Sequence, residues 1–180
     1  MNFEELDYQE GKNNMGGLRP VGWYGFCEDA DTIPEPDQEA ATLALSVTAV
    51  GDIAMKSGKV MYPMYGELET AGMKGEVQGE RGSYSHKRTA SWFIPGSAPV
   101  NLGAARGFLN RRMFFVFKEM NGQMRLMGTK DLPCDVKSND DTGTKTADTK
   151  GITLEITDYG FGPVPVYTGA IPLGDESGSI

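Results

Sequence analysis

Arg112-Met113-Phe114-Phe115-Val116-Phe117-Lys118-Glu119-Met120, then Asn121-Gly122, then Gln123-Met124-Arg125-Leu126-Met127-Gly128-Thr129: the architecture follows from this stretch. Aromatic and β-branched side chains favour a pleated, packed surface, and an Asn-Gly pair between two such runs predicts a β-hairpin closed by a type I′ turn. The aromatic residues are consecutive, so they read as core packing rather than as a platform on which sugars or bases stack.

Downstream, residues 132–136 extend the hairpin before a polar loop over 138–150 that contains Asp140, Asp141 and Asp148. Gly151 then opens a strand with Ile152, Leu154 and Ile156 on one side. Val164, Val166 and Tyr167 lie among Pro163 and Pro165 and predict a short edge piece, and the tail beyond Pro172 is expected to fray.

Upstream, Pro95 and Gly96 close a strand over 84–94, and Ser97 is placed to cap a helix over 98–110. Val100, Leu102, Ala105, Phe108 and Leu109 give that helix an apolar face, while Gly103 and Gly107 suggest a sheet passing close to its backbone. In the strand before it, Tyr84, His86, Arg88, Ala90 and Trp92 alternate with Ser85, Lys87, Thr89, Ser91 and Phe93. Both faces carry polar groups, so at least one meets water or another subunit. Residues 70–87 are rich in glycine and in charges of both signs, which predicts a segment that stays mobile until a neighbour holds it.

Earlier still, residues 59–68 form a weaker strand in which Pro63 signals an edge or a bulge. Residues 42–50 alternate with period two and predict a half-buried strand. Glu28, Asp29, Asp31, Glu35, Asp37 and Glu39 surround Pro34 and Pro36 in an exposed, extended loop, and residues 18–27 give a strand interrupted by Gly22 and Gly25. The fold class is therefore mainly β, a sandwich or barrel with one flanking helix and long loops. It divides into an arm over 1–17, one β-rich domain over 18–172 and a tail over 173–180.

Composition narrows the function. Acids outnumber bases by 25 to 17, so the chain as a whole does not attract phosphates and a DNA-gripping role is disfavoured. No apolar run approaches the roughly 18 residues of a membrane span, and the polar, acidic start argues against a cleaved signal. Cys27 and Cys134 are far apart in sequence and read as two buried thiols. His86 is the sole histidine, which excludes a His pair or a two-His metal site, and it reads as a surface residue. The prolines after Gly160 and Gly162 exclude a phosphate loop, and residues 139–143 lack the ligand spacing and closing glutamate of a calcium loop. No catalytic, metal or cofactor site emerges, and the chain reads as a non-enzyme.

Three pieces of the chain resemble phage tail tube proteins of the short form found in Bacteroidetes-type phages and prophages. They are Gly75 to Gly96, with Gly-Glu-Val-Gln-Gly-Glu-Arg and a closing Phe-Ile-Pro-Gly; Asn101 to Pro133, with the Asn-Gly tip and Arg-Leu-Met-Gly; and Ala147 to Gly169, with Pro-Val-Pro-Val-Tyr-Thr-Gly. The resemblance covers about half the chain. It implies a structural virion protein made in the host cytoplasm and incorporated into the tail. Copies would close into rings, hexameric in this family, that stack into a hollow tube. Partners would be the chain itself and other tail proteins, with DNA as passing cargo, no membrane and no cofactor. The inter-subunit contacts it suggests are Leu6 and Tyr8 on the arm and Met73, Val77, Arg81 and Tyr84 on the glycine-rich segment. The alternatives are a capsid-decorating or neck component, and a ligand-binding β-sandwich module.

Overall fold

A computed structural model describes Phe3, Leu6 and residues 14–174. Tyr8, most of the expected arm and residues 175–180 lie outside the described residues. In chain order the elements are β1 (Leu18–Phe26), β2 (Ala30–Thr32), β3 (Thr48–Ala49), β4 (Ala54–Met55), β5 (Tyr62–Tyr65), β6 (Gly72–Gln78), β7 (Ser85–Pro95), α1 (Pro99–Phe108), β8 (Met113–Glu119), β9 (Met124–Met127), β10 (Asp135–Asp141), β11 (Gly151–Gly160) and β12 (Val166–Tyr167). They build a mainly β sandwich with one helix. One sheet runs β3-β12-β9-β8-β1-β5, the other β10-β11-β7-β6, and β2 pairs with β4 in a small third sheet.

The quoted stretch lies at the centre. β8 is hydrogen-bonded to β1 on one side and β9 on the other, and its residues from Met113 to Phe117 are all fully buried. Because a strand alternates its side chains, Met113, Phe115 and Phe117 enter one core while Phe114 and Val116 enter a second. The first core lies between the two large sheets and includes Trp92, Ile152, Leu154 and Ile156; the second lies beneath the chain from Cys27 to Met61. Burial on both faces explains an apolar run without alternation. Gly25 sits opposite Phe114, and a Cβ there would overlap the phenyl ring, so the close approach needs glycine. Helix α1 bridges the sheets: Phe108 meets Tyr24 of β1 edge-on at 4.9 Å, and Ser138 Oγ of β10 donates to the Ala105 carbonyl.

Several expectations need correction. Residues 42–50 form turns, a 3-10 turn at Leu45–Val47 and only a two-residue strand. The hydroxyls there compete with a ladder: Thr42 Oγ1 accepts from Leu45 N–H, Ser46 Oγ donates to the Leu43 carbonyl and Thr48 Oγ1 to the Ala44 carbonyl. Of the alternating Leu43, Leu45, Val47 and Ala49, only Ala49 is buried. The glycine-rich segment is a strand over much of its length, because β6 pairs residue by residue with β7 from Gly72 to Gln78; its turn falls at Gly79 and Gly82, both with positive φ. Likewise β10 continues through Asp141, inside the expected polar loop, by pairing with β11.

The helix begins at Pro99, and Ala98 precedes it without a side-chain cap; Pro99 itself lacks one of the N–H groups that a cap would satisfy. Only Ala105 and Phe108 are buried, Val100 is 75% exposed, and nothing approaches Gly103 or Gly107. β12 is an inner strand, flanked by β9 and β3. Pro63 stands in β5, which is indeed an edge.

Candidate assembly surface

The four-stranded sheet has two different faces. Arg88, Ala90 and Trp92 of β7 and Ile152, Leu154 and Ile156 of β11 are buried against the first core. Register carries the opposite set outward: Lys74 and Glu76 of β6, Lys87 and Thr89 of β7, Thr153, Glu155 and Thr157 of β11, and Asp135, Lys137, Asn139 and Asp141 of β10. That face is mostly polar, with three lysines against four carboxylates, and it also carries Phe93, whose ring lies over Gly151, and the exposed Tyr159. Sequence alternation placed polar groups on both faces of β7, and the structure turns Lys87 and Thr89 outward and His86 and Arg88 inward.

Among the described residues, neither edge strand of this sheet has an outer partner strand. Every neighbouring pair in β10-β11-β7-β6 is antiparallel, so β10 and β6 run in opposite senses. The outer backbone groups of β6 and β10 face no neighbouring strand among the described residues.

Five of the six candidate contact residues are described. Val77, 60% exposed, and Tyr84, 62% exposed, flank the β6–β7 turn that carries the exposed Arg81. Met73 is half-buried and packs on the first core. Leu6 is 90% exposed, and Tyr8 lies outside the described residues.

Sequence reasoning missed a buried ion pair. Arg88 and Asp158 face each other across β7 and β11, with side chains 5% and 0% exposed. Asp158 accepts from Arg88 Nε at 2.8 Å and Nη2 at 2.6 Å, and from Gly128 N–H at 2.8 Å, which ties the second sheet to the end of β9. Burial pushes the Asp158 carboxyl above its ordinary value, against the opposing pull of Arg88 and the Gly128 N–H. His86 shares this inner side; it is half-buried, not a surface residue, and its Nδ1 has no hydrogen-bond partner. It lines a cavity of about 410 Å³ with Arg88, Gly160, Phe161 and Pro163.

Both cysteines are buried and free. Cys27 N–H donates to the Arg112 carbonyl and Cys134 N–H to the Met113 carbonyl, from opposite sides of β8. Two strand spacings, about 9–10 Å, separate them, beyond the roughly 7 Å that a disulfide spans. Among the described residues no His, Cys, Asp or Glu group could hold a metal, and no helix is long and apolar enough to cross a membrane.

The fold thus defines a two-sheet β-sandwich with one helix and a mostly polar second sheet whose edge strands have no outer partner among the described residues. Compared with known proteins, the chain matches no family model, no curated protein and no solved structure.

Proposed function

We propose that the chain is a structural subunit that assembles with copies of itself, and specifically a phage tail tube protein whose rings stack around a channel. The observation that carries this reading is the second sheet: its two edge strands have opposite sense, so β6 of one copy would lie antiparallel to β10 of the next. Such a contact is head-to-tail and, where the rotation per copy divides a full turn without rise, closes a ring. The outer faces of successive sheets would then make one continuous wall. A mostly polar wall with nearly balanced charge, on a chain of net charge -8, suits a conduit through which DNA passes without sticking. The motifs around Gly75 to Gly96, Asn101 to Pro133 and Ala147 to Gly169 supply the tail tube identity by resemblance, together with hexameric symmetry.

Negative-stain microscopy of concentrated protein tests assembly, with rings or stacked tubes as the expected outcome. Hydrogen exchange tests the contact: backbone amides of β6 and β10 gain protection in assembled over dilute protein. Rings in which those amides exchange as fast as in the monomer would rule out the sheet-edge contact, and a monomer under all conditions, including addition of preformed tail tips, would rule out the tube.

A further inference from the structure

The chain carries eight more acids than bases, yet four of its cations converge on one cleft. Lys56, Arg111, Arg112 and Lys130 line an opening of about 560 Å³ with Cys27 at its wall and Glu28 beside it. The cations are held by backbone. Lys56 Nζ donates to the Glu28 carbonyl at 2.7 Å, Lys130 Nζ to the Asp31 carbonyl at 3.0 Å, and Arg112 to the Lys130 carbonyl. Carbonyls fix the position of a cation without cancelling its charge. Among the described residues no carboxylate lies within 4.0 Å of Lys56, Arg112 or Lys130, and Arg111 reaches only Glu28, at 3.7 Å, while lying over the Phe26 ring.

Glu28 is the carboxylate that lines the cleft with these four cations, and solvated surface cations ordinarily relieve mutual repulsion by spreading apart. Here backbone carbonyls hold three of them in place. Asn110, at φ 60, turns out of α1 in the left-handed conformation and delivers Arg111 and Arg112 consecutively to the cleft. Burial raises the pKa of the Cys27 thiol to about 11, and the charges of Arg112 and Lys130 act against that rise.

We propose that this cleft binds a multivalent oxyanion, phosphate or clustered carboxylate, through the guanidinium forks and the two ammonium groups. Planar forks match both oxyanions, and charge-assisted hydrogen bonds are the stronger kind. Two sources present this chemistry. One is a free phosphate compound. The other is the acidic loop of a second copy, where Glu35, Asp37 and Glu39 are exposed and have no described cation within 4.0 Å. The second source rests on the assembly reading; the site does not.

The test is calorimetric titration of dilute full-length chain with pyrophosphate at low salt. One site per chain is expected, weakening as NaCl rises, and Arg112→Gln with Lys130→Gln should weaken it by at least about tenfold. Near-UV circular dichroism checks the fold of that variant, and Lys56→Gln with Arg111→Gln is read in its place if the fold is lost. No binding by the wild-type chain, or undiminished binding by a folded variant, overturns the proposal. Sedimentation velocity then separates the sources. If self-association falls both in the cleft variant and in Glu35→Lys with Asp37→Lys and Glu39→Lys, the ligand is the loop of another copy. If association is unchanged while pyrophosphate binding is lost, the ligand is a free anion. Failure of the chain to assemble at all sinks the assembly reading and leaves the pyrophosphate result to stand.

Discussion

Arg88 and Asp158 show how much one residue pair can decide. Asp158→Asn preserves shape but leaves a guanidinium buried without its counter-charge, and an expected loss of about 3–5 kcal/mol follows. Urea unfolding measures it. Replacing both partners, Arg88→Met with Asp158→Leu, is expected to cost less, about 1–3 kcal/mol, because the desolvation of both charges disappears with their attraction and the orphaned Gly128 N–H remains the main loss. Equal losses in the single and double variants would show that the pair is not a coupled unit. The pair was half legible in the sequence: steps of two from Trp92 and Ala90 reach Arg88, and steps of two from Ile152 through Ile156 reach Asp158. What one sequence lacks is the register that sets 88 opposite 158. The basic cleft was less legible still, since Lys56, Arg111, Arg112 and Lys130 come from three separate parts of the chain. Cys27 gives a pH prediction. Its folded pKa of about 11 exceeds the ordinary 9.0, so the folded state keeps a proton that the unfolded state loses. Its contribution to stability is present below the unfolded value and is lost as pH rises through the folded one. Unfolding free energy should therefore fall over that window more steeply in the wild type than in Cys27→Ala.

At the scale of elements, local chemistry identified the hairpin but not its turn. Gly122 has φ 95, whereas Asn121 has no positive φ; Gly122 N–H donates to the Glu119 carbonyl at 2.9 Å, and Glu119 N–H to the Gln123 carbonyl at 2.8 Å. This is a three-residue loop in which a type I turn precedes a left-handed glycine, and Asn121 Oδ1 contributes by accepting from Gln123 N–H. Gly122→Ala should cost about 1–2 kcal/mol in thermal unfolding, from the left-handed strain alone. A cost near zero would mean that the loop rearranges freely. The strands inside the fold, β8 and β11, were readable because burial forces their composition. Residues 42–50 were not, because their alternation competes with Thr42, Ser46 and Thr48, whose side chains bond the local backbone. For β6 and the end of β10 the deciding force is pairing with a neighbour distant in sequence, which composition does not encode.

For the whole molecule, the decisive property of a head-to-tail contact is that each copy offers two unlike edges. Blocking one leaves the other competent. Gly75 lies in β6 directly opposite Arg88, and nothing comes within 4 Å of a Cβ built there, so Gly75→Lys should fold at a cost of at most about 1 kcal/mol from the cation opposite. An inward-pointing lysine on an edge strand is a recurrent obstacle to edge pairing. A Gly75→Lys copy could still present β10 to the β6 of a growing arc, yet its own β6 would accept no successor. Mixed with wild-type protein, it should therefore end arcs before they close and suppress rings well below equimolar ratio, as counted by microscopy. If copies met through a two-fold contact instead, each variant would disable only one partner, and ring loss would track the mixing ratio in proportion. A proportional response would thus remove the head-to-tail geometry, and indifference to the variant would show that the β6 edge takes no part in assembly.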